Sequence, residues 1–192
     1  MRYAAALEGE AGKSLPPVHL WNPAYCGELD LVIKRDGTWV YEGGPIGRAR
    51  LVRLFSTVLK REGDRYFLVT PVEKLGLKVE DAPFVAVLMR VEADGGDARD
   101  RRLVFATNVG DEVAAGPEHA LAFRAARETG PENGGGAPYI HVRGGLEARI
   151  ARAVYYDLVA LGETHHIDGE DQFGVWSDGV FFPFGPAADL VE

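Results

Sequence analysis

"VYEGGPIGRARLVRLF", residues 40–55, runs from a strand-like stretch through two adjacent glycines and a proline into an amphipathic segment. Leu51, Leu54, Phe55, Val58 and Leu59 recur three and four residues apart, which puts them on one helix face, with Gly63-Asp64 as the stop. Upstream, "LDLVIK" (29–34) and "TWVYE" (38–42) flank Asp36-Gly37, a hairpin signal. Downstream, "RYFLV" (65–69) returns as a strand. In "TPVEKLG" (70–76), Thr70 suits an N-cap, Pro71 the first helical position, Glu73 a capping box and Gly76 a left-handed stop, so one capped helical turn is expected.

The second half reads similarly. "FVAVLMRVEA" (84–93) and "RRLVFATN" (101–108) form strands around an Asp/Gly-rich turn at 94–97, and "HALAFRA" (119–125) and "YIHV" (139–142) are further strands. "TGPENGGGAP" (129–138) reads as a flexible loop. Leu146, Ile150, Ala153, Val154, Leu158 and Leu161 predict a second amphipathic helix over 146–161, and "QFGVWSDGVFFPFG" (172–185) closes the chain as a hairpin around Ser177-Asp178-Gly179. Strands outnumber helices and hairpin signals are frequent. The fold class is therefore α+β with mostly antiparallel sheet, with a lead-in over 1–14 and two α+β subdomains over 15–80 and 81–192.

The chain has 192 residues, 46% hydrophobic and 26% charged, enough to fill a core. A net charge of -8 argues against a nucleic-acid polymer as partner. Cys26 is the single cysteine, which excludes an internal disulfide and suits a reducing cytoplasm. No apolar run approaches the roughly 20 residues of a membrane span, and the N-terminus is a poor secretion signal.

Two helix entrances echo one another. "WVYEGGPIGRARLVRLF" and "YIHVRGGLEARIARAV" both read as strand, Gly-Gly, helix, which suggests duplication of a strand–turn–helix unit whose halves meet at a seam, a favoured place for a ligand. Glycines before a helix N-terminus let an anion approach free N–H groups, and Arg48 and Arg50 can add bidentate contacts. The alternative is a tight turn with glycine at positive φ, since neither the phosphate-loop spacing nor its lysine is present. Arg50/Arg53 and Arg149/Arg152 each fall on one helix face, either as a cationic rim or as a solvated surface. The candidate ligand-binding set is Trp39, Gly43, Gly44, Arg48, Glu73, Arg143, Gly144 and Arg149. Trp39, Trp176 and Tyr66 suit either core packing or stacking.

Other chemistry is weakly signalled. "GETHHIDGED" (162–171) gathers His165, His166, Asp168 and acidic residues, which suits a metal-assisted hydrolase of a phosphate-containing substrate or a plain polar loop. Cys26 with His19 suits a Cys–His pair or a small buried thiol, and Glu73, Glu80 and Asp81 a carboxylate pair. No cofactor, metal ligand set or catalytic residue is assigned. An exposed sheet edge docking a protein partner is the remaining alternative.

"WVYEGGPIGR" (39–48), "LVRLFSTVL" (51–59), "YFLVTPVEK" (66–74), "VEDAPF" (79–84), "FATN" (105–108), "YIHVRGGLEAR" (139–149) and "GVWSDGVFFP" (174–183) together resemble the domain-of-unknown-function 1285 family of bacterial proteins, over nearly all of 15–186. The resemblance implies two related subdomains, the second loosely like a pleckstrin-homology fold. It also implies a pocket where they meet for a small anionic or nucleotide-like ligand, and a role in signalling. It supplies no reaction. Nothing carries over to Gly130–Gly134 or the His165-His166 segment.

Overall fold

The computed structural model describes residues 15–92, 96–124 and 137–190, and within these the chain divides into two compact units. One runs up to Pro83 and takes in Gly144–Leu146; the other comprises Phe84–Arg143 and the chain from Glu147 onward. The lead-in at 1–14 and most of the 129–138 loop lie outside the described residues.

The first unit is built on a six-stranded sheet. Its strands are β1 (Tyr25–Ile33), β2 (Trp39–Tyr41), β3 (Gly44–Pro45), β4 (Leu59–Glu62), β5 (Arg65–Val69) and β6 (Lys74–Val79), in the order β3-β2-β1-β6-β5-β4. The β1–β2 hairpin forms where Asp36-Gly37 predicts it. Asp36 Oδ1 accepts the Thr38 amide at 2.9 Å, and Gly37 takes a φ of 86°. Helix α1 (Ala49–Thr57) lies between the two halves of the sheet in sequence and buries Phe55. Trp39, Phe55, Val58, Leu59, Phe67 and Val69 are in the core, each large apolar side chain contributing about 1.5–3 kcal/mol through loss of water contact.

Two expectations fail here. The helix stops at Thr57, and Leu59–Glu62 is a strand, so Gly63, at φ 62°, turns β4 into β5 and does not end the helix. Thr70–Gly76 is no helical turn. Thr70 Oγ1 does accept the Glu73 amide at 3.1 Å, as an N-cap would, but the Thr70 amide donates to the Glu73 carbonyl at 2.9 Å and the chain enters β6 at Lys74. That is hairpin closure. Gly76 sits inside β6 with no positive φ, and a Cβ there would meet only the mobile end of the exposed Glu28 side chain, so it is not a left-handed stop.

The second unit holds β7 (Phe84–Glu92), β8 (Arg102–Thr107), β9 (Glu112–Ala114), β10 (Leu121–Arg124), β11 (Ala137–Arg143) and β12 (Leu146–Ile150), in the order β10-β11-β12-β7-β8-β9. Helix α2 (Arg152–Ala160) follows, and then a three-stranded antiparallel sheet of β13 (Glu163–Ile167), β14 (Glu170–Ser177) and β15 (Val180–Pro186). The predicted helix over 146–161 is thus half strand. Leu146, Ala148 and Ile150 are buried in strict alternation, and the helix begins only at Arg152, burying Val154 and Leu158. Positions 146, 150, 154 and 158 are four apart and satisfy either period, so the apolar spacing alone is ambiguous. The segment 163–167 is likewise a strand, because Asp168 (φ 52°) and Gly169 (φ 89°) make a hairpin turn.

Numbered within its own unit, each six-stranded sheet has the order 3-2-1-6-5-4. Each has one parallel pair at its centre, β1 with β6 and β7 with β12, and antiparallel pairs outside it. The architecture is α+β and dominated by sheet, with few helices. The repeated element is the sheet. The strand–turn–helix unit read from sequence is not what recurs, because α1 joins strands three and four of its sheet whereas α2 follows strand six.

Candidate functional site

Neither Gly-Gly pair lies at a helix N-terminus. Glu42 (φ 48°) and Gly43 (φ 77°) form the turn between β2 and β3, and Gly44 already pairs with Tyr41 in β3. Gly144 (φ 53°) and Gly145 (φ 76°) form the turn between β11 and β12. Positive φ at both central residues is the turn that matches strand twist. The glycines therefore serve hairpin geometry.

Trp39 is 1% exposed and stacks on Phe55 with ring centroids 6.5 Å apart and planes at 24°. It has no free face for a base, and its Nε1 has no partner among the described residues. Arg143 on β11 lies over the Phe84 ring at 5.0 Å, and its Nη1 is 2.5 Å from Asp111 Oδ2 in an ion pair. Arg149 lies on β12 opposite Val85, so Arg149 and Arg152 do not share a helix face. Glu73 is half-buried beside an apolar cavity of about 30 Å³ lined by Leu29, Phe55, Val58, Leu68, Thr70 and Leu75. A space of that size holds a water or two and no nucleotide.

Arg48 is the residue of the set that remains available. It is the N-cap of α1, with extended backbone, and it is exposed. Arg50 and Arg53 follow on the exposed side of the same helix. None of their three guanidinium groups has a partner among the described residues. Every other described arginine has one: Arg65 with Glu28, Arg90 with Glu92 and Glu112, Arg102 with Glu92, Arg124 with Glu147, and the rest through carbonyls, rings or further contacts. The first turn of α1 carries no acidic residue. Cations in the first turn of a helix oppose its dipole at roughly 0.3–1 kcal/mol each, which applies to Arg48 and Arg50, whereas Arg53 lies beyond that turn. The clustering of Arg48 with Arg50 and Arg53 is legible in the sequence; that, among the described arginines, these are the ones whose side chains lack partners is not.

The remaining expectations resolve individually. His165 packs against Trp176 and Phe181 with centroids 5.3 Å away in each case, and His166 Nδ1 bonds Asp171 Oδ1 at 2.7 Å. No three His, Cys, Asp or Glu side chains gather to hold a metal among the described residues. Cys26 is exposed, not buried, and donates to the Ala24 carbonyl at 3.3 Å. Glu80 accepts from Lys34 Nζ at 2.8 Å and from the Arg35 amide at 3.1 Å, which hold its carboxyl below the usual glutamate range, Lys34 foremost. No helix among the described residues is long and apolar enough to cross a membrane.

The chain is similar to two solved structures. A DUF1285 family protein from Silicibacter pomeroyi DSS-3 is 47% identical, with 98% of this chain and 97% of that one covered and a TM-score of 0.84. A second, from Shewanella baltica OS155, is 29% identical over 69% of this chain and 91% of that one, with a TM-score of 0.49. No curated protein matches. The family model described as the domain of unknown function (DUF1285), N-terminal domain, matches residues 16–82, and that of the DUF1285 C-terminal domain matches 83–184. The chain therefore belongs to the DUF1285 family.

Proposed function

We propose that this protein is a binding or sensor module for a small phosphate-bearing anion, received at the N-terminal end of α1. The observation that carries the reading is the trio Arg48, Arg50 and Arg53, whose side chains have no partner among the described residues, in a chain of net charge -8. Guanidinium groups bind phosphate oxygens with paired, charge-assisted hydrogen bonds, and the α1 dipole adds to their field. Gly47, exposed just before the N-cap and with open space where a Cβ would stand, leaves the approach clear. Nucleotides are one member of this ligand class, recognised here through their phosphates, since Trp39 is committed to the core. A signalling role in the cytoplasm, where the exposed Cys26 thiol stays reduced, fits such a sensor.

The test is a thermal-shift and calorimetric screen with inorganic phosphate, nucleoside diphosphates and nucleoside triphosphates. The wild-type protein is expected to melt higher with at least one of them. The Arg48→Ala/Arg50→Ala/Arg53→Ala variant should lose that shift, whereas Arg102→Ala, whose guanidinium is paired with Glu92, should keep it. Melting curves that no phosphate compound moves would defeat the reading.

A further inference from the structure

We infer that β7 is a self-association strand, through which two copies of this chain pair edge to edge about Met89. β12 covers only the first part of β7: Ala148, Arg149 and Ile150 oppose Phe84, Val85 and Ala86, and the Ala151 amide adds a bond to the Ala86 carbonyl at 3.0 Å. The chain then leaves as α2. From Val87 to Glu92, β7 has a strand neighbour among the described residues on the β8 side alone. A bulge between Ala86 and Leu88 marks where the double-sided pairing stops.

This half-edge is mostly apolar and carries exposed side chains on both faces, with Met89 half-exposed and α2 packed against part of β7. Leu88 is 66% exposed, Val91 44% and Val87 42%. An exposed apolar edge is a template for another strand, and most proteins blunt such edges with charge. Here the charge is already neutralised: Arg90 reaches Glu92 at 3.0 Å and Glu112 at 3.1 Å.

The occupant is a second copy because the pattern is its own complement. An antiparallel pair related by a two-fold axis must place each residue opposite its mirror position. About Met89, Val87 meets Val91 of the second copy and Met89 meets Met89, giving one continuous apolar face. On the other face Leu88 meets Arg90, and Glu92 meets Ala86, so no like charges oppose. Moving the axis to Arg90 would set Arg90 against itself. The contact is short, so the dimer is weak and depends on concentration.

Sedimentation equilibrium of the full chain across about two decades of concentration should show a reversible monomer–dimer equilibrium. Leu88→Lys should shift it to monomer with an unchanged melting temperature, because Leu88 is exposed and the new ammonium would face Arg90 of the second copy. In a Cys26→Ser background, Met89→Cys should oxidise to a disulfide-linked dimer about tenfold or more faster than Leu20→Cys, an exposed control in the first unit, because pairing raises the effective concentration. A protein that stays monomeric throughout, or equal cross-linking at Met89 and Leu20, overturns the proposal. So does cross-linking at Val87→Cys in place of Met89→Cys, which would mean another register.

Discussion

The hydroxyl of Ser177 accepts the Leu103 amide at 2.9 Å and donates to the Ala115 carbonyl at 2.7 Å. Ser177 ends β14 and is fully buried, and Leu103 lies on β8, so one side chain ties the three-stranded sheet to the six-stranded sheet of the second unit. Its loss strands two backbone groups in a place water does not reach. Ser177→Ala is expected to destabilise the protein by about 1–3 kcal/mol, with no change in α1 or its surroundings, as read by denaturant melts. A neutral effect would mean that other partners satisfy both backbone groups once the hydroxyl is gone.

Much of this was legible in residues. Asp36-Gly37 and Ser177-Asp178-Gly179 announce their hairpins, and the β-rich runs at 65–69, 84–93 and 101–108 contain the strands Arg65–Val69, Phe84–Glu92 and Arg102–Thr107. Elsewhere one local pattern fits two structures. Leu146, Ile150, Val154 and Leu158 fit two periods at once, and only the neighbouring β7 makes 146–150 a strand. Thr70 and Glu73 make the hydrogen bond of a helix start inside a hairpin turn. For the site, the arginine cluster is visible in sequence, but ion pairing is not: Arg143 looks equivalent to Arg48 until Asp111, distant in the chain, takes it.

Gly174 is needed for space. A Cβ there would collide with the Phe182 carbonyl oxygen, the Pro183 Cα and the Phe181 ring, at the point where the β14–β15 register shifts. Two of these obstacles are backbone and cannot rotate away. Gly174→Ala is expected to cost about 1–3 kcal/mol or more and to disturb the packing of His165, Trp176 and Phe181, which near-ultraviolet circular dichroism would register. Gly43→Ala, at an exposed turn with open space around the new methyl but a φ of 77°, should cost only about 1–2 kcal/mol. Equal penalties at the two sites would mean that crowding is not the cause at Gly174.

Phe55 anchors α1 by stacking on Trp39 and also walls the cavity of about 30 Å³. Phe55→Ala removes a buried ring beside space that is already empty, so the surroundings have little with which to refill it. The expected loss is at the upper end of about 3–5 kcal/mol, with Phe55→Leu costing far less. If α1 is the anion receptor, Phe55→Ala should also weaken phosphate binding, because Arg50 and Arg53 lose their fixed platform. Binding unchanged in a variant that has lost this much stability would separate the arginines from the helix that carries them.

Glu62 gives the protein an acid-side dependence of known sign. Its carboxylate accepts from Lys74 Nζ at 3.0 Å and lies 3.1 Å from Lys60 Nζ. These two ammonium groups, Lys74 first, hold the Glu62 carboxyl below its ordinary 4.5. A carboxyl whose folded value is depressed contributes stability above the unfolded value, and that contribution disappears as pH falls through the folded one. Because the group is about one-third exposed, solvent screening keeps the contribution to about 0.5–1 kcal/mol. Glu62→Gln should therefore be less stable than wild type near neutral pH; the gap should start to narrow below the ordinary glutamate value and close as pH falls through the depressed folded value, where the folded wild-type carboxyl is protonated too. Added salt should narrow the gap at neutral pH. Urea melts of both proteins over a pH series decide the matter: a gap that persists unchanged into strong acid would assign the effect to packing and not to the charge.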